Sequence, residues 1–480
     1  MTRRKKLIIA GSILVAPFVA HFAIVKSTAF APPKIEVPVE TMSEQDGIRH
    51  VGPAYAMERA GVREAYIEGT PEQLGERNAH LLGDRMNADE ASLWKTFEHF
   101  VPLSFLRTLM IDISRVRYRH IEDNVPEPRR RELASAAAAM QPDPNASRMP
   151  TYERVVFLHS VYDIALSFEH SPMIGCSAFG LGPTMTKDGH TYVGRAFDME
   201  IGDVFDLDKV VYFVRENGRI PYASVAWPGL TGVLTGMNLD GVMVLVNGAR
   251  AGEPRTTGLP VVFSLRETLQ TAHDTDEAVD VLKKQDVMVS HIVFVADAKG
   301  KFAVVERAPG HPAFVRRDFS DPERVGVTNH FEGDLKDDPK NVAVRQSTTT
   351  LARRARLDEM LGALPPASVD YTSAIGMLRD HDCAKGEKCS LGDRRSIDAM
   401  IATHGVLADT TDKVLWVSKG PHLSGAFVKF DLKQTFAAGH DPSSEGPAET
   451  IGADPILSDG RYEEGRKHAG GPKIGGDLKQ

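Results

Sequence analysis

From about residue 54 to 170 the apolar positions recur at helical spacing. In A-Y-I-E-G-T-P-E-Q-L-G-E-R-N-A-H-L-L-G-D-R-M, the Thr70-Pro71-Glu72 start and the following Leu74, Ala79, Leu81 and Leu82 predict a helix. R-E-L-A-S-A-A-A-A-M consists of strong helix formers, and Y-E-R-V-V-F-L-H-S-V-Y-D-I-A-L-S completes this helical section. The period changes at Cys176. C-S-A-F-G-L-G, T-Y-V-G-R-A-F, K-V-V-Y-F-V and Y-A-S-V-A-W are short β-rich runs, punctuated by the turn signals K-D-G and E-N-G. V-M-V-L-V-N follows N-L-D-G, and H-I-V-F-V-A and F-A-V-V-E-R flank D-A-K-G-K. Between them V-V-F-S-L-R-E-T-L-Q-T-A and D-E-A-V-D-V-L-K-K have helical spacing. Hairpin-linked strands interrupted by a helical pair predict an α+β sandwich, an antiparallel sheet with helices on a face, rather than a parallel βαβ fold. T-T-L-A-R-R-A-R-L-D-E-M-L reads as a further helix, and strands at K-V-L-W-V-S and A-F-V-K-F-D-L close the domain.

The remaining segments lack a period. Residues 32–53 are rich in Pro and Val and read as a linker, and 436–480 are rich in Gly, Pro, Glu and Lys and read as a disordered tail. No repeat of 20–50 residues is visible. The chain thus divides into 1–31, a linker at 32–53, a helical segment at 54–175, a β-rich segment at 176–435 and the tail.

The first segment bears on location. M-T-R-R-K-K precedes L-I-I-A-G-S-I-L-V-A-P-F-V-A-H-F-A-I-V, an apolar run close to the ~20 residues that span a bilayer. Ala29-Phe30-Ala31 resembles a cleavage site, although Pro32 follows it. Residues 1–31 are therefore a signal peptide or a membrane anchor, and in both cases the rest of the chain is expected to be exported, periplasmic or extracellular. The formal net charge of −8 argues against a nucleic-acid partner. Arg129–Arg131 reads as a solvated helix face. The chain has three cysteines. Cys383 and Cys389, in H-D-C-A-K-G-E-K-C, suit a local disulfide in an oxidising compartment better than a zinc site, and Cys176 is then the odd thiol. No metal-ligand set such as H-E-x-x-H is present, and no cofactor is implied.

Five pieces, in order, carry a family resemblance: G-C-S-A-F, D-G-H-T-Y-V-G-R-A-F-D, P-G-L-T-G-V-L-T-G-M-N-L-D-G, V-L-V-N-G-A-R and G-V-T-N-H-F. The chain resembles the cysteine branch of the N-terminal-nucleophile (Ntn) hydrolases, specifically the acyltransferase-like group of peptidase family C45, with relatives among choloylglycine hydrolases and acid-ceramidase-like amidases. The resemblance implies an αββα sandwich of antiparallel sheets flanked by helices and preceded by a helical pro-segment. It implies self-cleavage at Gly175-Cys176, where glycine would allow a strained backbone. Cys176 would then supply both a nucleophilic thiol and an α-amine whose reference pKa of about 7.7–8.0 suits a general base. Arg195 would favour the thiolate, Asp198 would accept from the α-amine, and Asn329 (side-chain amide) and Asn247 (backbone N–H) would form the oxyanion hole.

The residues keep other readings open. Arg195 and Asp198 also fit a structural ion pair, Asn247-Gly248 fits a turn, and His330 beside Asn329 suggests a Cys–His dyad. Arg353 and Arg356 lie where relatives have an arginine, without an assignable role. The expected function is a self-processing amidohydrolase or acyltransferase acting on a small N-acyl amide, with the α and β fragments as each other's partners. The alternatives are a membrane-tethered, non-catalytic binding protein on the same scaffold and a papain-type protease.

Overall fold

The computed structural model describes residues 3–36, 40–168, 174–199 and 203–469. Helix α1 (Arg3–Ser27) leads into two hairpins, β1 (Met42–Gln45), β2 (Ile48–Val51), β3 (Ala54–Arg59) and β4 (Val62–Gly69). Helices α2 (Pro71–Phe100), α3 (Ser104–Arg117), α4 (Glu127–Ala139), α5 (Thr151–His159) and α6 (Val161–Leu166) precede β5 (Ile174–Leu181) and β6 (Tyr192–Met199). After α7 (Val204–Leu207) come β7 (Val210–Glu216), β8 (Tyr222–Ala226), β9 (Thr235–Asn238) and β10 (Met243–Gly248). The helical pair α8 (Val261–Thr271) and α9 (Thr275–Lys283) leads to β11 (His291–Ala296), β12 (Phe302–Arg307), β13 (Phe314–Arg316) and β14 (Arg324–Val327). Helices α10 (Pro339–Ser347), α11 (Thr350–Ala363) and α12 (Tyr371–Leu378) precede β15 (Ala402–Asp409), β16 (Val414–Ser418) and β17 (Phe427–Asp431). Helix α13 (Leu432–Thr435), β18 (Thr450–Ile451) and α14 (Arg461–Ala469) end the described chain.

These strands build two sheets, an eleven-stranded one (β1-β2-β3-β4-β7-β8-β9-β10-β11-β12-β13) and a seven-stranded one (β14-β5-β6-β15-β16-β17-β18). The burial pattern stacks them. Val211, Phe213, Leu245 and Phe294 of the large sheet share one core with Ala178, Val193, Val406 and Phe430 of the small sheet. The opposite face of the large sheet, through Tyr212, Val244 and Val305, packs against helical residues such as Leu74, Leu133 and Leu265. The outer face of the small sheet, through Phe179, Leu407 and Trp416, packs against Leu357, Leu361 and Ile375 of α11 and α12. Helix, sheet, sheet and helix layers follow one another, the αββα arrangement the resemblance implied.

Local sequence explains the main elements. Thr70 caps α2 as a capping box: its hydroxyl accepts from Gln73 N at 3.4 Å while Thr70 N donates to the Gln73 side chain at 3.0 Å, with Pro71 in the first turn. Gly75 lets α2 lie directly on α4, since a Cβ there would come within 2.0 Å of the Glu132 carbonyl oxygen.

Three expected boundaries change. The supposed linker at 32–53 contains the β1–β2 hairpin, turned by Asp46 (φ 53°) and Gly47 (φ 78°). Every residue of β1 is exposed, so this edge strand leaves no alternating pattern to read. The segment 54–175 is not wholly helical, because β3 and β4 extend the large sheet and β4 pairs in parallel with β7, the one parallel strand pair among the described residues. The supposed tail includes β18, paired with β17, and α14, whose Tyr462 and Ala469 pack with Met400 and Ile456. So few buried residues hold α14 that its composition reads as polar; residues 470–480 lie outside the described chain. Among the described residues no helix is long and apolar enough to cross a membrane. The side chains of residues 3–14, the basic start and the first part of the apolar run, lie outside that description.

The helices before Cys176 are tied to the strands after it by buried charge. Arg129, expected on a solvated face, is buried, and it donates to Glu132 at 2.6 Å and to Glu216. Arg266 donates to Glu132 at 2.7 Å and to Glu216 at 3.2 Å, and Gln270 donates to Glu216 at 2.7 Å. Burial would raise the Glu216 carboxyl, but Arg266 and Arg129 outweigh it and hold the group down to about 2. Removing one partner leaves buried cations uncompensated, so Glu216→Ala should cost about 3–5 kcal/mol at pH 7, read as a lower urea midpoint. The depressed carboxyl stabilises fully above its unfolded pKa of about 4.3. The gap between wild type and variant should therefore persist down to that pH and close as pH falls towards 2.

Candidate active site

Cys176 is the third of the paired residues in the β5–β6 ladder, opposite Phe197, and Ala178 lies opposite Arg195. Alternation puts Cys176, Ala178 and Arg195 on the face of the small sheet that meets the large one. The thiol is free and fully buried. Arg195 Nη2 donates to Cys176 Sγ at 3.3 Å and to the Val246 carbonyl at 2.6 Å, and Nη1 donates to Asn247 Oδ1. Asn247 Nδ2 in turn donates to Thr328 O at 3.0 Å. Strand β10 thus aims the guanidinium, which also lies over the Phe197 ring with its carbon 4.8 Å from the centroid.

Asn329 follows β14 and sits at the backbone of Cys176. Its Oδ1 accepts from Cys176 N at 2.7 Å and from Arg353 Nη2 at 2.8 Å, while its Nδ2 donates to Gly248 O at 2.8 Å. Arg353, to which the sequence assigned no role, belongs to the site: it is buried and also donates to Cys176 O and, at 3.0 Å, to Ser177 Oγ. A signal for it exists in the chain. Thr350, Arg353, Leu357 and Leu361 form the buried face of α11, so a helical wheel selects Arg353 from the R-R-A-R run. Arg356 instead pairs with Asp380 at 2.7 Å, away from Cys176.

Three expectations are corrected. Gly175 is in regular strand and not among the glycines with positive φ, and a Cβ there would meet Asp198 at an ordinary 3.5 Å, so no strained backbone is present. The group that accepts from Cys176 N is Asn329; Asp198, paired with Gly175 across the ladder, is buried with Oδ1 unbonded. Burial, opposed by Arg353 and reinforced by Asp398, raises the Asp198 carboxyl to about 7. The thiol is not shifted towards thiolate: burial raises it more than Arg195 lowers it. His330 turns its Nδ1 to Thr350 Oγ1 at 3.0 Å and Thr328 Oγ1 at 3.2 Å rather than to Cys176, and burial lowers it to about 4. Cys383 and Cys389 are bonded to each other, with Cα atoms 5.7 Å apart.

An apolar cavity of about 340 Å³ lies beyond Phe197, the ladder partner of Cys176: the ring of Trp227, in its wall, is 6.1 Å from that of Phe197. Leu93 and Phe97 of α2, Leu158 and Tyr162 of α5 and α6, Met199 of β6 and Trp227 line it.

The family model for acyl-coenzyme A:6-aminopenicillanic acid acyl-transferase matches residues 184–398. The chain resembles that acyltransferase family, as its motifs indicate. The match takes in Arg195, Asp198, Asn247, Asn329 and Arg353, and begins just downstream of Cys176. An uncharacterized protein of Archaeoglobus fulgidus is 22% identical over 352 residues, covering 67% of this chain and 56% of its own, so the chain spans little more than half of that relative. The Caenorhabditis elegans N-acylethanolamine-hydrolyzing acid amidase ortholog is 18% identical at a TM-score of 0.34, covering 49% of this chain and 93% of that one. Penicillin V acylase from Agrobacterium tumefaciens is 16% identical at a TM-score of 0.35, covering 58% and 100%. A mutant of the conjugated bile acid hydrolase from Clostridium perfringens is 13% identical at a TM-score of 0.36, covering 58% and 97%.

If Arg195 is the cation acting on the thiol, Arg195→Gln should move the Cys176 titration to higher pH by about one unit. Thiolate absorbance at 240 nm, with a Cys176→Ala background subtracted, reads this directly because Cys176 is the free cysteine. An unchanged titration would remove Arg195 from that role.

Proposed function

We propose that the protein is a self-processing cysteine amidohydrolase or acyltransferase acting on linear N-acyl amides. One observation carries the reading: a single residue presents a buried thiol to a cation at 3.3 Å and its own backbone nitrogen to an acceptor at 2.7 Å. A nucleophile and a future base are held together, which is what an N-terminal cysteine needs.

In the processing step Cys176 Sγ attacks the Gly175 carbonyl carbon, the Gly175–Cys176 C–N bond breaks, and the nitrogen leaves as the Cys176 α-amine. Water then hydrolyses the thioester, giving a Gly175 carboxylate and regenerating the thiol. In turnover the α-amine takes the thiol proton as sulfur attacks the substrate carbonyl, then delivers it to the departing amine. Water or an acceptor amine resolves the acyl-thioester. Arg195 stabilises the sulfur anion against its burial, and Asn329 and Arg353 orient the Cys176 backbone. The apolar cavity favours substrates with a hydrocarbon acyl chain over charged ones. The buried Arg129–Glu216–Arg266 network supports continued association of the α and β fragments after the cut.

The basic start and apolar run at the N-terminus support export, with the fragment pair periplasmic or extracellular and tethered if residues 1–31 are retained. Cell fractionation of the full chain tests this, and recovery in the cytoplasm would oppose it.

The purified wild type should run as two fragments on a denaturing gel, the second beginning Cys-Ser-Ala-Phe, and Cys176→Ala should stay intact. Cleavage of the alanine variant at the same bond would mean an outside protease. On N-acyl-7-amino-4-methylcoumarins the dodecanoyl compound should exceed the acetyl one in kcat/KM by about tenfold or more, each buried CH₂ contributing about 0.8 kcal/mol. A preference for acetyl would contradict an apolar acyl site.

A further inference from the structure

Almost every buried side-chain donor around Cys176 is committed. Asn329 Nδ2 serves Gly248 O, Asn247 Nδ2 serves Thr328 O, and the Arg353 nitrogens serve Cys176 O, Ser177 Oγ and Asn329 Oδ1. Both terminal nitrogens of Arg195 are engaged, and its unbonded Nε belongs to the guanidinium stacked over Phe197. The Asn329 side-chain amide expected to hold an oxyanion is thus tied to a backbone carbonyl, as is the side-chain amide of Asn247, whose backbone N–H was the donor expected there. A further buried group carries no such commitment. Tyr162, on α6, lines the apolar cavity, and its buried hydroxyl has no hydrogen-bond partner in the protein. A buried hydroxyl is costly to leave unpaired, so its placement calls for a partner that arrives with the substrate.

We propose that Tyr162 is a catalytic residue whose hydroxyl donates a hydrogen bond to the carbonyl oxygen of the bound acyl group as it becomes the tetrahedral oxyanion. The cavity reaches towards Cys176 through Met199, two residues beyond the ladder partner Phe197 on the same face of β6, and through Trp227, whose ring lies 6.1 Å from that of Phe197, so an acyl amide attacked by Cys176 with its chain in the cavity would bring its carbonyl oxygen towards the wall that Tyr162 helps to form. Burial holds the phenol well above its ordinary pKa, so it remains a donor and transfers no proton. Tyr162 precedes the scissile bond, so the upstream fragment would supply part of the reaction centre. The assignment rests on the acyl-transfer reading above.

Tyr162→Phe in the processed protein should lower kcat on the dodecanoyl coumarin by about 100-fold, with KM within about threefold. Alkylation of Cys176 by iodoacetamide, a displacement at a saturated carbon that forms no oxyanion, should stay within about twofold of wild type. Replacing Tyr162 by 3-fluorotyrosine, which keeps ring and hydroxyl, should return kcat to within about threefold and controls for a folding defect. Three results would overturn the assignment: a phenylalanine variant with near wild-type kcat, alkylation slowing in parallel with kcat, or no recovery with fluorotyrosine. A wild type that is cut yet turns over no N-acyl amide removes the underlying reading, and the assignment with it; that outcome is visible without any variant.

Discussion

The carboxamide oxygen of Asn329 is the point on which the site depends. It accepts at once from the backbone N–H of Cys176 and from the buried guanidinium of Arg353. Three elements distant in sequence meet there: the start of β5, the turn after β14, and the first turns of α11. Arg353 completes the clamp by donating to the carbonyl of Cys176 and the hydroxyl of Ser177, so the Cys176 backbone is held on both sides. The same clamp leaves the side chain of Cys176 free to face Arg195 between the sheets.

Placing two arginines and a thiol in a fully buried pocket sets opposing electrostatic demands. Burial disfavours the thiolate and the Asp198 carboxylate alike, and the arginines recover only part of that loss. In the intact chain burial therefore holds the thiol towards its protonated form. On the proposed mechanism a base must take its proton, and an α-amine released at Cys176 would supply one within the same residue. With α2, α5 and α6 in the cavity wall, the segment before Cys176 shapes the space proposed for the acyl chain. The ion network around Glu216 holds that segment against β7 and α8.

Much of this was readable in the chain because hairpin turns impose short-range order. The D-G-H turn folds β6 back on β5, and so Arg195 and Asp198 return beside Cys176 and Gly175 at a spacing the sequence displays. Long-range partners were less legible. Arg353 comes from a helix far downstream, hidden in a run of basic residues of which Arg354 faces Glu332 and Asp358 and Arg356 faces Asp380. Only the helical phase of Thr350, Leu357 and Leu361 singles it out. The β1–β2 hairpin escaped because an exposed edge strand needs no apolar alternation, and the parallel β4–β7 pair because nothing local specifies it. Arg129 misled for the opposite reason, a charge run that reads as surface until its buried acidic partners are known.

The central claim is that Cys176 carries the acyl group through its sulfur while its nitrogen is free. Acid-quenched protein, mixed for milliseconds with an N-dodecanoyl amide and digested, should yield a peptide beginning at Cys176 that carries the dodecanoyl mass, lost on treatment with neutral hydroxylamine. Substrate consumed without an acyl adduct on Cys176, or an adduct on a peptide still joined to Gly175, would contradict it.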